Sequence, residues 1–370
     1  MANSPMARPA SDRPVSTPAA EGASTRISPD ATPLPVAAGP LKGGSGRRFL
    51  PQIGGLVLVL LADWLVSPQF FALRLQDGRL FGSVIDVLNR GAPVTLLSLG
   101  MTLVIATGGI DLSVGAVIAI SGAVAASLVN SGLPVPLTIV AALLAGVLCG
   151  AWNGLLISAL RIQPIVATLT LMVAGRGIAQ LITKGVIVTF VNPSLSEIAD
   201  GSWFCLPTPV VLVLGVLAVT LVLVRATALG LMIEAVGINR RASELAGIRT
   251  RLIVFLVYVW SGFCAAVAGL VLTADIKGAD ANNAGLWLEL DAILAVVIGG
   301  TSLLGGRFSV IMAVLGAWII QAMNTGILLS GFPPEFNLIV KSAVVLVILV
   351  VQSPALGEFN LRPLSGRSVR

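Results

Sequence analysis

The chain has 370 residues, 56% of them hydrophobic and only 11% charged, with a formal net charge of +6. A soluble domain carries about 25% charged residues, so a water-covered globule is excluded and a membrane protein is indicated. Histidine is absent, which removes the commonest general base and the commonest zinc ligand together.

The cysteines Cys149, Cys205 and Cys264 lie far apart, with no CxxC pair. Neither a metal cluster nor a disulfide framework is indicated, and Cys149 and Cys264 read as small packing residues inside apolar blocks. The basic residues stand singly between apolar blocks, which fits the charge bias of membrane loops and not a phosphate-binding stripe, so no nucleic-acid partner is expected.

Residues 1–48 are rich in Pro, Ala, Ser and Thr and carry no apolar periodicity, which predicts a disordered cytoplasmic tail. No continuous apolar core precedes Leu50, so a cleaved signal peptide is not expected. From 49 to 355 the pattern predicts an all-α polytopic membrane domain with about ten transmembrane helices. The apolar runs lie near 49–67, 84–107, 112–130, 136–158, 164–183, 207–224, 252–273, 289–303, 308–328 and 336–352. About 20 apolar residues cross a bilayer as a helix, and runs this long and evenly apolar are not barrel strands. The glycine pairs Gly108–Gly109 and Gly299–Gly300 make the boundaries around 100–130 and 289–310 the hardest to place. Residues 356–370 form a short second tail.

Charge orients the bundle. With the amino terminus inside, Lys42, Arg47, Arg48, Arg161, Arg225, Arg240, Arg241, Arg249, Arg251, Arg307, Arg362, Arg367 and Arg370 fall on the cytoplasmic side. The other side receives only Arg74, Arg79, Arg90, Lys184 and Lys277. That bias predicts a multi-pass inner-membrane protein with both termini cytoplasmic.

Ionisable groups inside such spans are costly and mark candidate sites. Asp63 and Lys341 lie near span ends, where snorkelling accounts for them. Arg176, in LMVAGRGIAQ, is deeper and is a candidate path residue, expected to pair with Glu289 or Asp291 in preference to contacting sugar directly. Asp111 and Ser113, in GGIDLSVG, have two open readings. One is a discontinuous helix lining a translocation path; the other is a tight turn with Asp111 capping the following span. Gly146, Gly150 and Gly154 form a GxxxGxxxG stripe that permits close helix packing. Asn153, beside that stripe, is a candidate path residue, although packing also accounts for it. Asn282, Asn283 and Trp287 fall in an outward loop, where they serve as sugar guides or interfacial anchors.

The most informative polar stretch is RATALGLMIEAVGINRRASELAGIRTR, from Arg225 to Arg251. Asn239 is placed to N-cap a short helix over Arg240–Ala246, and Gly247 to close it. Spacing alone favours a solvated connector. The block EAVGINRRASELAGI, however, resembles the cytoplasmic coupling segment of ABC importer permeases of the ribose, xylose and galactofuranose branch. GMTLVIATGGIDLSVGAVIAISGAVAASL at 100–128 and LELDAILAVVIGGTSLLGGRFSVIMAVLGA at 288–317 resemble the same family. The order of the three blocks is kept across about residues 50–355. The regions 86–111 and 273–292 are nearest to galactofuranose members, while the amino-terminal tail carries no family motif.

The resemblance implies an ATPase-coupling role for Glu234, Gly237, Asn239, Glu244, Ala246 and Gly247. It also implies an ATP-binding cassette subunit, a periplasmic sugar-binding protein and a second permease copy or paralogue as partners, within membrane lipid. The chain itself has no GxxxxGK[ST] loop, so ATP falls to a partner subunit and no cofactor is expected here. No catalytic Ser–His–Asp or Cys–His set is possible, and an enzyme is not expected. An ion-coupled secondary transporter working through Asp111, Asp291 or Arg176, or a membrane receptor that transports nothing, are the competing readings. The sugar stays open.

Overall fold

The computed structural model describes residues 50–331, apart from 77, 78 and 204, together with 336, 338–343 and 346. The expected tails at 1–48 and 356–370 lie outside the described residues, as does most of the expected span at 336–352.

The fold is all-α. Its helices are α1 (Leu50–Val66), α2 (Ser83–Arg90), α3 (Ala92–Ala106), α4 (Val114–Asn130), α5 (Val135–Ser158), α6 (Pro164–Thr183) and α7 (Pro193–Asp200). There follow α8 (Thr208–Leu221), α9 (Leu229–Ile238), α10 (Arg240–Leu245), α11 (Thr250–Asp275), α12 (Leu288–Ile298) and α13 (Val310–Leu329). Among the described residues, α5, α6, α11, α13 and α8 with the π-helical turn that extends it to Ala226 are long and apolar enough to cross a membrane. The pair α2 and α3, bent by 46°, meets the same criteria only when taken together, as a broken span or a re-entrant loop.

Among the described residues, helices occupy the first nine expected runs, and the described residues of the tenth are helical as well, but not every run is a full crossing. The expected run at 289–303 ends at Ile298, because Gly299 and Gly300 break it, the latter at φ +83°. At 11 residues, α12 is about 16 Å long, half a bilayer. The run at 84–107 is split at Gly91, whose missing side chain admits Gln321 of α13; a Cβ there would stand 3.2 Å from the Gln321 Cβ. The 225–251 stretch is also more helical than expected. Its first part is α9, which buries Ile233 and Val236 in the main core.

At the centre stand α3, α4 and α11. Every residue of α3 is buried, as befits a helix that is apolar all round. Its hydroxyls are satisfied within the helix: Thr95 donates to the Gly91 carbonyl at 2.7 Å, and Thr102 donates to that of Ser98 at 2.6 Å. The glycine stripe of α5 lies flat on α11. A Cβ at Gly150 would sit 2.3 Å from the Tyr258 carbonyl oxygen, and one at Gly146 would sit 2.4 Å from the Ala266 Cβ. Close packing thus explains the stripe.

Three small antiparallel pairs tie the connections at one end of the bundle. They are β1 (Arg74–Gln76) with β2 (Arg79–Phe81), β3 (Val188–Thr189) with β6 (Gly278–Ala279), and β4 (Ser202–Trp203) with β5 (Leu206–Pro207). An ion pair between Lys277 and Asp200 at 3.1 Å stands at the same end.

Two expected snorkelling residues are buried instead. Lys341 reaches both carboxylate oxygens of Asp291 at 2.9 Å, and each side chain is 11% exposed. Asp63 is 4% exposed and turns toward Gly326 of α13, whose missing side chain leaves it room. A long side chain snorkels only where no buried partner is nearer; packing of α1 on α13 and the Asp291 carboxylate decide otherwise here.

Candidate functional site

The polar stretch after α9 forms as its caps dictate. Asn239 is extended (φ −156°, ψ 96°), and its side chain accepts from the Ala242 N–H at 2.9 Å, so it N-caps α10. At the other end, the Ile248 N–H bonds the Ser243 carbonyl at 3.0 Å and the Gly247 N–H bonds that of Glu244 at 3.1 Å. With Gly247 at φ +87°, these two bonds make a Schellman motif. The helix ends at Leu245, with Ala246 as the C-cap and not its last turn.

Glu244 accepts a 2.6 Å hydrogen bond from the Thr250 hydroxyl and faces Arg240 at 3.7 Å. The Thr250 bond, then the charges of Arg240, Arg161 and Arg251, hold its carboxyl below the ordinary glutamate value. Three of the arginines assigned to one side by charge counting, Arg161, Arg240 and Arg251, thus act on Glu244 of α10. Ser243 faces inward, donating to the Asn239 carbonyl, whereas Ala246 is exposed. Glu234 is half-buried on α9.

Two residues escaped the sequence reading. Ile238 is 70% exposed and Leu245 is 85% exposed. Aliphatic side chains flanking a capped helix outside the bundle form a natural contact for a partner protein. The available signal was their position beside the Asn239 and Gly247 caps.

The sequence-derived path residues separate into two groups. Asp111, Ser113 and Asn153 come together; Arg176 does not join them. Asp111 accepts from the Ser113 N–H at 3.0 Å and the Ser113 hydroxyl at 2.6 Å on Oδ1, and from the Ser261 hydroxyl at 2.8 Å on Oδ2. Asn153 Nδ2 donates to the Ser113 hydroxyl oxygen at 2.8 Å. Four stretches are thus joined: the α3–α4 turn, the start of α4, α5 and α11. Three donors replace the water a buried carboxylate has lost. Asp111 is 2% exposed and Ser113 and Asn153 are 0% exposed, so the turn is closed to bulk solvent in this conformation. The Asn153 carbonyl oxygen and the Tyr258 hydroxyl are buried here without hydrogen-bond partners among the described residues. Ser261 was not legible beforehand, since one serine in YVWSGFC is unremarkable without its neighbour 150 residues away.

Arg176 forms no ion pair with Glu289 or Asp291. Asp291 belongs to Lys341, and Glu289 Oε2 is buried without a hydrogen-bond partner among the described residues. Instead the Arg176 guanidinium donates to three carbonyls of the loop before α12: Ala281 at 3.4 Å, Asn282 at 3.5 Å and Ala284 at 2.5 Å. Gln180 donates to the Asn282 side chain at 2.7 Å. Asp280 closes the loop from within, accepting from the N–H groups of Asn282 and Asn283 and from the Asn283 side chain. Carbonyl dipoles satisfy a guanidinium fork without needing a second buried charge.

Comparison with known proteins agrees with this architecture. Residues 83–349 match the family described as the branched-chain amino acid transport system / permease component. The galactofuranose transporter permease protein YtfT of Escherichia coli is 64% identical over 312 residues, covering 83% of this chain and 92% of that protein. The fructose import permease protein FruF of Bifidobacterium longum is 43% identical over 317 residues, covering 84% and 88%. The ribose import permease protein RbsC of Escherichia coli is 35% identical over 325 residues, covering 84% and 97%. No solved structure gives a significant match. The chain belongs to this permease family, as a multi-pass membrane subunit of a transport system and not an enzyme.

Proposed function

We propose that the chain is the translocating subunit of an ATP-driven monosaccharide importer in the inner membrane, with galactofuranose as its first candidate substrate. The substrate reading rests on the relative named for galactofuranose at 64% identity, against 43% and 35% for those named for fructose and ribose. A soluble periplasmic binding protein delivers the sugar, a second permease copy or a paralogue completes the path, and both termini lie in the cytoplasm.

The observation that carries the mechanism is the capped, exposed α10 with Leu245 at its tip. A cassette subunit that clamps on α10 when it binds ATP favours one arrangement of the bundle by its differential affinity alone. Asp111, Ser113 and Asn153 then stand where the arrangement changes, and they meet the sugar only when the closed turn opens. Arg176 holds the outer loop in place and is not a sugar ligand.

Proteoliposomes test this directly. With cassette subunit, binding protein and ATP, they should accumulate galactofuranose in preference to ribose and fructose. The chain alone should accumulate none under a proton or sodium gradient. Uptake driven by a gradient alone would replace this reading with ion-coupled transport.

A further inference from the structure

We infer that Gly237 is the positioning residue that carries motion of the coupling segment into the buried Asp111 turn; this inference rests on the coupling role proposed for α10. Three backbone stretches meet at Gly237 with no room for any side chain. A Cβ there would lie 1.8 Å from the Ala106 carbonyl oxygen and 2.5 Å from the Gly306 nitrogen. Those two atoms are themselves hydrogen-bonded, Gly306 N–H to Ala106 carbonyl, at 2.9 Å. The contact is doubled one residue away. Gly305 packs against the same turn, a Cβ there falling 2.9 Å from the Gly108 nitrogen and 3.1 Å from the Gly237 carbonyl oxygen.

The joined parts are the end of α9, the end of α3 and the irregular segment between α12 and α13. Backbone against backbone, with no flexible side chain between, transmits displacement without slack. From Ala106 the chain runs only five residues to Asp111, whose carboxylate holds Ser261 of α11 and, through Ser113, Asn153 of α5. On the other side, α9 leads through Asn239 directly into α10. A pull on α10 therefore reaches the closed turn through the Gly237–Ala106 contact, alongside the tie of Glu244 to Thr250 at the start of α11. Gly247 differs: no atom lies within 4 Å of a Cβ built there, so it shapes the cap but touches nothing.

The test uses the complete complex with cassette subunit and binding protein. Gly237→Ala must push these backbones apart, so complexes are compared at equal recovered amount, and sugar-stimulated ATP hydrolysis and uptake per complex should fall at least about tenfold. Stimulated hydrolysis and uptake within about twofold of wild type would overturn the inference. In the wild-type complex, hydrogen exchange should change together in 104–109, 233–239 and 302–308 when ATP is added; this measurement stands even if the variant does not fold. Independent responses of those segments would also overturn it. The two claims fail differently. If Glu244→Arg and Leu245→Ala in α10 leave assembly and stimulation intact, the docking reading falls. If they abolish stimulation and Gly237→Ala does not, only the glycine junction falls.

Discussion

Lys341 and Asp291 show how a single missing partner acts in this bundle. With each side chain 11% exposed, Lys341→Met strands a carboxylate that water barely reaches. Removing one member of a buried pair costs about 3–5 kcal/mol, whereas replacing both is often nearly neutral. Unfolding in detergent should show Lys341→Met strongly destabilised and the double variant Asp291→Asn, Lys341→Met largely restored; equal losses in both would mean that the pair itself contributes little. Asp111 follows a different rule, because its partners are hydroxyls and a backbone N–H. Asp111→Asn keeps the shape and can reorganise its bonds, so it should cost less than Asp111→Ala, which leaves the donors of Ser113 and Ser261 unmatched at about 1–3 kcal/mol. At Asp280, the Asn283 side chain, the backbone N–H groups and the Arg176 charge hold the carboxyl below its ordinary value. A depressed folded value contributes stability above the unfolded value, and that contribution is lost as pH falls through the folded one. Exchange protection of 276–287 should therefore persist at neutral pH and decline only below the ordinary value of 3.8; a decline near neutrality would assign the loop's order to another group.

At the scale of elements, sequence was most informative where chemistry is local. The Asn239 and Gly247 caps of α10 and the packing role of the α5 glycines follow from short spacings, and the structure bears out each. It was least informative where partners are distant. Composition could say that Arg176 needed compensation, but not that carbonyls 105 to 108 residues away would supply it. Likewise α9 was obscured because its apolar residues sit among arginines, so burial against α3 and α11 could not be foreseen from periodicity. The N-cap offers a clean check. Asn239→Ala should destabilise α10 by about 1 kcal/mol, read as faster exchange in 240–247 with the rest of the bundle unchanged. Unaltered exchange there would mean that packing, not capping, holds α10.

At the scale of the molecule, the orientation proposed from charge can be tested with probes chosen by exposure. Ser243 is 4% exposed, so a cysteine placed there would resist labelling whichever side it faced. Ala246 is exposed on the α10 end, and Cys205 is exposed among the small strand pairs at the opposite end. An impermeant thiol reagent applied to intact cells should label Cys205 and not a cysteine at Ala246; the reverse pattern would invert the bundle. The mechanism proposed for this architecture has α10 as an exposed docking helix at one end, a closed polar turn within the bundle and a glycine junction between them. Sugar-stimulated ATP hydrolysis by the assembled complex tests that arrangement most directly, with Glu244→Arg and Gly247→Val compared to wild type at equal membrane insertion. Stimulation should fall at least about tenfold, corresponding to about 1.4 kcal/mol of lost coupling. Stimulation and assembly that match wild type in both variants would contradict the account and leave α10 a simple connector.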